Sequence, residues 1–166
     1  MRIVALTQIA MSLSLAASIA AAQEAPAQRE RAAGAVNALM DQYTAWFASG
    51  NADAIANSVY RAPVLWLADD GVAVLRSSDE LRQRFELGMR FLATEGYARS
   101  EWPVRNTCVL GENAAVVSGR FIRYRKDGTR IGEYGGTYTL AKTPDGWRIV
   151  SIALHSADRV IRCAER

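Results

Sequence analysis

From Val104 onward the chain reads as four β-rich runs separated by turn signals, and a chain so punctuated has few ways to fold. The runs are roughly Val104 to Leu110, Ala115 to Arg125, Arg130 to Lys142 and Trp147 to His155. Between them sit Gly111-Glu112-Asn113, Asp127-Gly128 and Pro144-Asp145-Gly146, residues that accept the dihedral angles of hairpin turns. Strands joined by such short turns pair antiparallel, so the C-terminal half predicts a four-stranded meander.

The turn chemistry also predicts which side chains share a face. An Asp127-Gly128 turn pairs Val117 with Tyr138, Gly119 with Gly136, Phe121 with Tyr134 and Arg123 with Gly132. If Pro144-Asp145-Gly146 closes a loop of even count, Trp147, Ile149, Ser151, Ala153 and His155 join that face; an odd count turns the last strand over. The shared face is rich in aromatic residues and reads as the core side. It also carries Gly119, Gly132 and Gly136, which let a sheet bend or leave space for another group. A strongly bent sheet facing helices makes a cone with a cavity. The opposite face mixes Ser118, Arg120, Thr137, Thr139 and Arg148 with Val150, Ile152 and Leu154. Such a face suits a sheet-to-sheet homodimer contact, with a solvated convex surface as the alternative.

Upstream, Val36, Leu39, Met40, Tyr43 and Phe47 recur at helical spacing within Arg29 to Ser49, and Gly50 ends that helix. Asn51 caps a shorter helix through Asp53, Ile55 and Val59, until Pro63 imposes an extended path. Val64 to Leu67 and Val72 to Leu75 flank Ala68-Asp69-Asp70-Gly71, a hairpin signal. Ser77-Ser78-Asp79-Glu80 matches a capping box in which Ser77 and Glu80 satisfy each other's backbone donors. Leu81, Phe85, Met89 and Leu92 then follow on a helix that runs to about Thr94. The order ααββα followed by ββββ predicts the α+β class, and 166 residues hold one such domain.

The N-terminus has a different character. Arg2 precedes an uncharged, mostly apolar run from Ile3 to Ala22, which ends in Ala20-Ala21-Ala22 and gives way to Gln23 and Glu24. That is the layout of a signal peptide over residues 1–22, with residues 23–29 as a flexible start to the mature chain and a periplasmic or secreted destination. The competing reading is an uncleaved membrane anchor. An oxidising compartment permits a bridge between the only cysteines, Cys108 and Cys163, but two free thiols are the preferred reading. Without Arg2 the chain keeps 19 basic and 17 acidic residues, a net charge of +2 and too even a balance to mark a nucleic-acid surface.

Certain local patterns point to a family. Tyr43-x-x-Trp46 lies on the first helix, Gly50-Asn51-Ala52-Asp53-Ala54-Ile55 opens the second, and Ser78-x-Glu80-Leu81 opens the third. Asp145-Gly146-Trp147-Arg148-Ile149 enters a last strand that ends at His155-Ser156. With these, residues 30–157 resemble the NTF2-like superfamily, in the SnoaL-like part that holds many exported bacterial proteins. The resemblance implies a cone: a curved, mostly antiparallel sheet of about six strands wrapped by three helices, usually dimeric through the sheet. Residues 158–166 are then a C-terminal tail. The superfamily includes ketosteroid isomerases, polyketide cyclases, dehydratases, limonene epoxide hydrolases and noncatalytic binding proteins, so fold does not select the activity.

The expected function is therefore binding of a small, partly apolar organic ligand in the cone. His155, the only histidine, is the candidate acid or base, with Tyr138 as its catalytic companion; a strand-end histidine held by hydrogen bonds is the structural alternative. Arg123 among aromatic residues requires a carboxylate partner or an anionic ligand, unless it reaches the sheet margin and water. Tyr134 adds a second phenol, while Phe121, Trp46, Trp66 and Trp102 offer apolar walls or plain core. An isomerase-like mechanism needs a pocket carboxylate, and the strands offer few: Glu133 falls on the outer face. The rivals are a cofactor-free isomerase, lyase or hydrolase working through His155, and a scaffold protein docking through its sheet. One histidine and two distant cysteines make no zinc site, and neither a Gly-x-Ser-x-Gly elbow nor a phosphate-binding glycine loop occurs. No cofactor is expected.

Overall fold

The computed structural model describes residues 7–69 and 71–164. Residues 1–6 of the expected leader, and Asp70 of the first hairpin turn, lie outside the described residues. Helix α1 spans Thr7–Ala48, with Pro26 inside it. It thus includes residues 23–29, where a flexible start to the mature chain is expected. Its stripe of Val36, Met40 and Tyr43 is buried, as the spacing predicts. Helix α2 covers only Ala52–Ala54 and runs into a π-helical turn at Ile55–Val59. Asn51 is its cap: the Ala54 N–H donates to Oδ1 at 3.0 Å.

Helix α3 spans Ser78–Thr94, and the Glu80 N–H donates to Oγ of Ser77 at 3.2 Å. The return bond differs from a regular capping box. Oε2 of Glu80 accepts from the N–H of Arg76 at 2.7 Å, one residue before the cap.

The strands are β1 (Tyr60–Ala68), β2 (Gly71–Leu75), β3 (Tyr97–Val109), β4 (Ala114–Arg125), β5 (Arg130–Thr143) and β6 (Gly146–His155). They form one sheet in the order β2-β1-β6-β5-β4-β3. All neighbours are antiparallel except β1 and β6. With the helices packed on one side, this is the α+β cone of six strands. Strand β3 starts at Tyr97 rather than near Val104. Pro103 masks its β pattern, yet β3 is an edge strand, where one missing N–H is tolerated, and the register shifts between Glu101 and Val104.

Between β4 and β5 the pairs are Val117 with Tyr138, Gly119 with Gly136, Phe121 with Tyr134 and Arg123 with Gly132, as the turn predicts. Strand β6 is different. Leu140 faces Ile149, whereas Thr139 faces Ser151, so a β-bulge inserts one residue between them. Trp147 and Ile149 are buried before the bulge and Ile152 after it. Neither an even nor an odd loop count describes the strand, because its inward parity changes midway. Ser151, Ala153 and His155 consequently lie on the outer face.

The cysteines also depart from the preferred reading. Cys108 and Cys163 form a disulfide, with Cα atoms 5.7 Å apart. By register, Cys108 and Asn106 lie on the outer face of β3, paired with Val116 and Ser118. The tail crosses that face: the Ile161 N–H donates to Oγ of Ser118 at 3.0 Å, and Nδ2 of Asn106 donates to the Ile161 carbonyl at 3.0 Å. Sequence periodicity carries no information about the path of an irregular tail, which is why the pairing stays open until the tail is placed. Among the described residues, no helix is long and apolar enough to cross a membrane.

Candidate functional site

Two helices and five strands converge on one cavity of about 550 Å³. Helix α1 contributes Tyr43 and Phe47, one turn apart, and α3 contributes Phe85 and Leu92. Alternation along β4 and β5 turns Phe121, Arg123 and Tyr138 to the same interior, and the shifted parity of β6 adds Ile152 and Leu154. Trp66 enters from β1 and Trp102 from the irregular start of β3.

The inner glycines explain how the rings lie so close to the sheet. A Cβ on Gly119 would sit 2.5 Å from the Val104 carbonyl oxygen and 3.0 Å from the Trp102 ring. Similarly, a Cβ on Gly136 would meet the Tyr138 ring at 3.0 Å. These positions are occupied by aromatic rings folded down onto the backbone. Trp102 is fixed further by its Nε1–H, which donates to Oγ1 of Thr44 at 3.0 Å, and Thr44 in turn donates to the Met40 carbonyl at 2.8 Å.

The rings form a continuous lining. Trp66 lies 5.8 Å from Phe85, Phe85 6.0 Å from Tyr43, Tyr43 6.2 Å from Tyr138, Tyr138 6.0 Å from Trp102, and Trp102 5.0 Å from Phe121, all centroid to centroid. Burial pushes the phenol pKa values of Tyr43, Tyr60 and Tyr138 above the ordinary tyrosine range, while the Arg123 charge opposes the shift at Tyr43 and Tyr138. At neutral pH these hydroxyls are therefore protonated and able to donate.

Two guanidinium groups line the cavity, those of Arg84 and Arg123, and Arg123 is the one set among several rings. Its guanidinium carbon lies 4.8 Å from the Tyr134 ring centroid, 5.3 Å from that of Phe121 and 5.4 Å from that of Phe47. Its Nε is buried without a hydrogen-bond partner. Among the described residues neither a carboxylate nor an imidazole lines the cavity.

The sequence-derived candidates thus divide. Arg123, Tyr138, Phe121, Trp66 and Trp102 share the cavity wall. Tyr134 stands behind it, stacked on Phe121 at 5.4 Å and under Arg123. Trp46 does not line the cavity; it packs against the core, and its carbonyl accepts from the Asn51 N–H at 2.9 Å at the end of α1. Tyr43, Phe85 and Ser100 belong to the wall but read from sequence only as apolar spacing or not at all.

His155 is absent from the wall, which corrects the expectation that it faces the cavity. Its Nε2 is 2.9 Å from Oγ1 of Thr137, and Nδ1 is 2.9 Å from the Ser156 carbonyl oxygen. A carbonyl only accepts, so Nδ1 carries the proton and, in the neutral ring, Thr137 donates to Nε2. Thr137 then accepts from Ser118 across 2.7 Å, and Ser118 accepts from the Ile161 N–H. The histidine thus joins the strand end to the tail. The β6 bulge is the cause of its displacement from the cavity.

Comparison with other proteins agrees with this architecture. No curated protein matches the chain significantly. Among solved structures, an NTF2-like protein with a cystatin-like fold from Novosphingobium aromaticivorans is 20% identical with a TM-score of 0.65, over 85% of this chain and 89% of that one. An NTF2-like superfamily protein from Salmonella enterica is 16% identical with a TM-score of 0.56, over 80% and 92% of the two chains. A ketosteroid isomerase-like protein from Erwinia carotovora is 16% identical with a TM-score of 0.55, over 73% and 92%. Identities this low carry the fold alone, and they do not distinguish a SnoaL-like subgroup. The family model for the NTF2-like protein DUF6841 matches residues 29–157, which include every strand and both long stretches of cavity-lining helix, and the chain belongs to that family.

Proposed function

We propose that this NTF2-like protein binds a small, partly apolar organic molecule in its cone. The observation that carries the reading is the cavity of about 550 Å³, walled by rings and aliphatic side chains with a few converging polar groups at Arg123, Tyr138 and Ser100. Small-molecule sites have that composition and fall at roughly 300–1,000 Å³. An acid/base reaction needs a proton acceptor, and the described wall offers neither carboxylate nor imidazole. Binding is therefore better supported than turnover through His155.

The leader-like N-terminus supports export, and the Cys108–Cys163 bridge fits an oxidising periplasmic or extracellular setting. A homodimer contact through the outer face, as the family resemblance implies, would use the β1–β2 end. Leu65, Val72 and Val74 are exposed there, whereas the tail covers part of β3 and β4.

The test is native mass spectrometry of the purified chain, combined with titration of 1-anilinonaphthalene-8-sulfonate. The reading expects a co-purifying small molecule or one dye bound per chain. Neither a bound mass nor dye fluorescence above that of a folded control lacking a cavity would remove it.

A further inference from the structure

Resting on that reading of the cone, we propose that its ligand carries a single carboxylate group, received by the guanidinium of Arg123. Two polar atoms on the cavity-lining residues are buried without partners, Nε of Arg123 and Nε1 of Trp66, and both are donors. Unpaired buried donors are costly, charged ones most of all, so the complement they call for is an acceptor with negative charge.

The surroundings of Arg123 narrow the choice. Among the described residues it makes no ion pair. Phe47, Phe121 and Tyr134 stabilise its charge through their ring faces but supply no anion to neutralise it. The Tyr43 and Tyr138 hydroxyls are protonated and supply no anion to Arg123. Ser100, by contrast, is engaged with the Tyr97 hydroxyl at 2.8 Å.

Charge counting favours a monoanion. The other guanidinium on the wall, Arg84, already has a partner and lies 5.1 Å from the Trp66 ring centroid. One uncompensated cation neutralises one carboxylate, whose planar pair of oxygens matches the donor fork of arginine. A phosphate monoester would bring a second charge into a ring-lined space. The remainder of the ligand meets apolar surface that continues outward along α3, where Leu87 and Phe91 line the cavity yet are 60% and 66% exposed. The inferred class is an aryl or alkyl carboxylic acid, with its acid group at Arg123 and its apolar body toward α3.

Paired probes test this on the full chain. Tryptophan fluorescence and calorimetry at pH 7 compare 2-naphthoate with 2-naphthylmethanol and dodecanoate with 1-dodecanol. The acid of at least one pair is expected to bind about tenfold or more tightly than its alcohol. Arg123→Gln should abolish that preference while still binding the alcohol, and Arg123→Lys should retain part of it. Equal affinity of acid and alcohol in the unmodified chain overturns the carboxylate assignment and leaves the ligand-binding cone standing. So does a preference that survives Arg123→Gln. If no probe of the four binds, the carboxylate assignment falls, while the ligand-binding cone is decided by the bound mass and the dye. The unmodified chain alone decides between acid and alcohol, so the test does not depend on the variants folding.

Discussion

On the outer face of the sheet, Nε2 of His155 and Oγ1 of Thr137 lie 2.9 Å apart, within a relay that continues through Ser118 to the backbone of Ile161. The sole imidazole of the chain is committed to holding the tail. Thr137→Val removes the middle member and leaves the fully buried Ser118 hydroxyl and one histidine nitrogen without their partner. We expect a stability loss of about 1–3 kcal/mol in urea unfolding, with affinity for a cavity probe unchanged within about twofold. A large loss of probe affinity at unchanged stability would place His155 and Thr137 in the binding machinery after all.

The Cys108–Cys163 bridge closes a loop with a sequence separation of 55 residues, containing β4, β5 and β6. Loop-closure entropy for a ring of that size predicts about 4 kcal/mol of stabilisation. The Cys108→Ser/Cys163→Ser chain should therefore unfold at lower denaturant, and Ile161 should lose amide protection as the tail leaves Ser118. Unchanged protection at Ile161 in that variant would mean that the hydrogen bonds alone hold the tail.

Much of the cone is legible in the sequence because periodicity and turn chemistry are local signals. The β4–β5 register follows from Asp127-Gly128, and Val36, Met40 and Tyr43 declare the buried side of α1. What escapes is set by contacts between distant segments. The β6 bulge has no glycine or proline to announce it; Ile149, Val150 and Ser151 read as uninterrupted strand. That single bulge moves His155 off the cavity wall. Trp102 is legible as a candidate, but its place depends on Gly119 and Thr44, which are far from it in sequence. Tyr43 and Phe85 look like ordinary helix core, since lining a cavity and filling a core demand the same residue types.

The buried phenols give a pH signature. In the folded chain burial raises the pKa values of Tyr43, Tyr60 and Tyr138, so the folded state holds these protons at a pH where the unfolded chain releases them. Their contribution is fully present below the ordinary tyrosine pKa of about 10 and is lost as pH rises toward the folded values. Stability should accordingly fall above that range. Absorbance of tyrosinate should rise in a late step that coincides with loss of near-ultraviolet circular dichroism, and Tyr60→Phe should diminish that step. A complete, reversible tyrosine titration before any unfolding would contradict the burial of this cluster.

The bulge makes an asymmetric prediction about deletions in β6. Inward residues are Trp147 and Ile149 before it, and Ile152 and Leu154 after it. Deleting Val150 leaves Ile149, Ser151 and Ile152 alternating in, out and in, so every buried side chain keeps its face and only the bulge disappears. Deleting Ala153 instead places Leu154 next to Ile152 in an alternating strand and sends Leu154 outward, while the following His155 turns inward. Strand β1 also has an irregular register against β6 between Tyr60 and Leu65, so the Val150 deletion should cost something. The Ala153 deletion should cost more, by about 1 kcal/mol or above, since it loses the buried surface of one leucine and brings a polar ring into an apolar site. Thermal unfolding of the two variants checks the order. If removal of Val150 proves the more damaging, the bulge is needed to hold the sheet's curvature and is more than a change of parity.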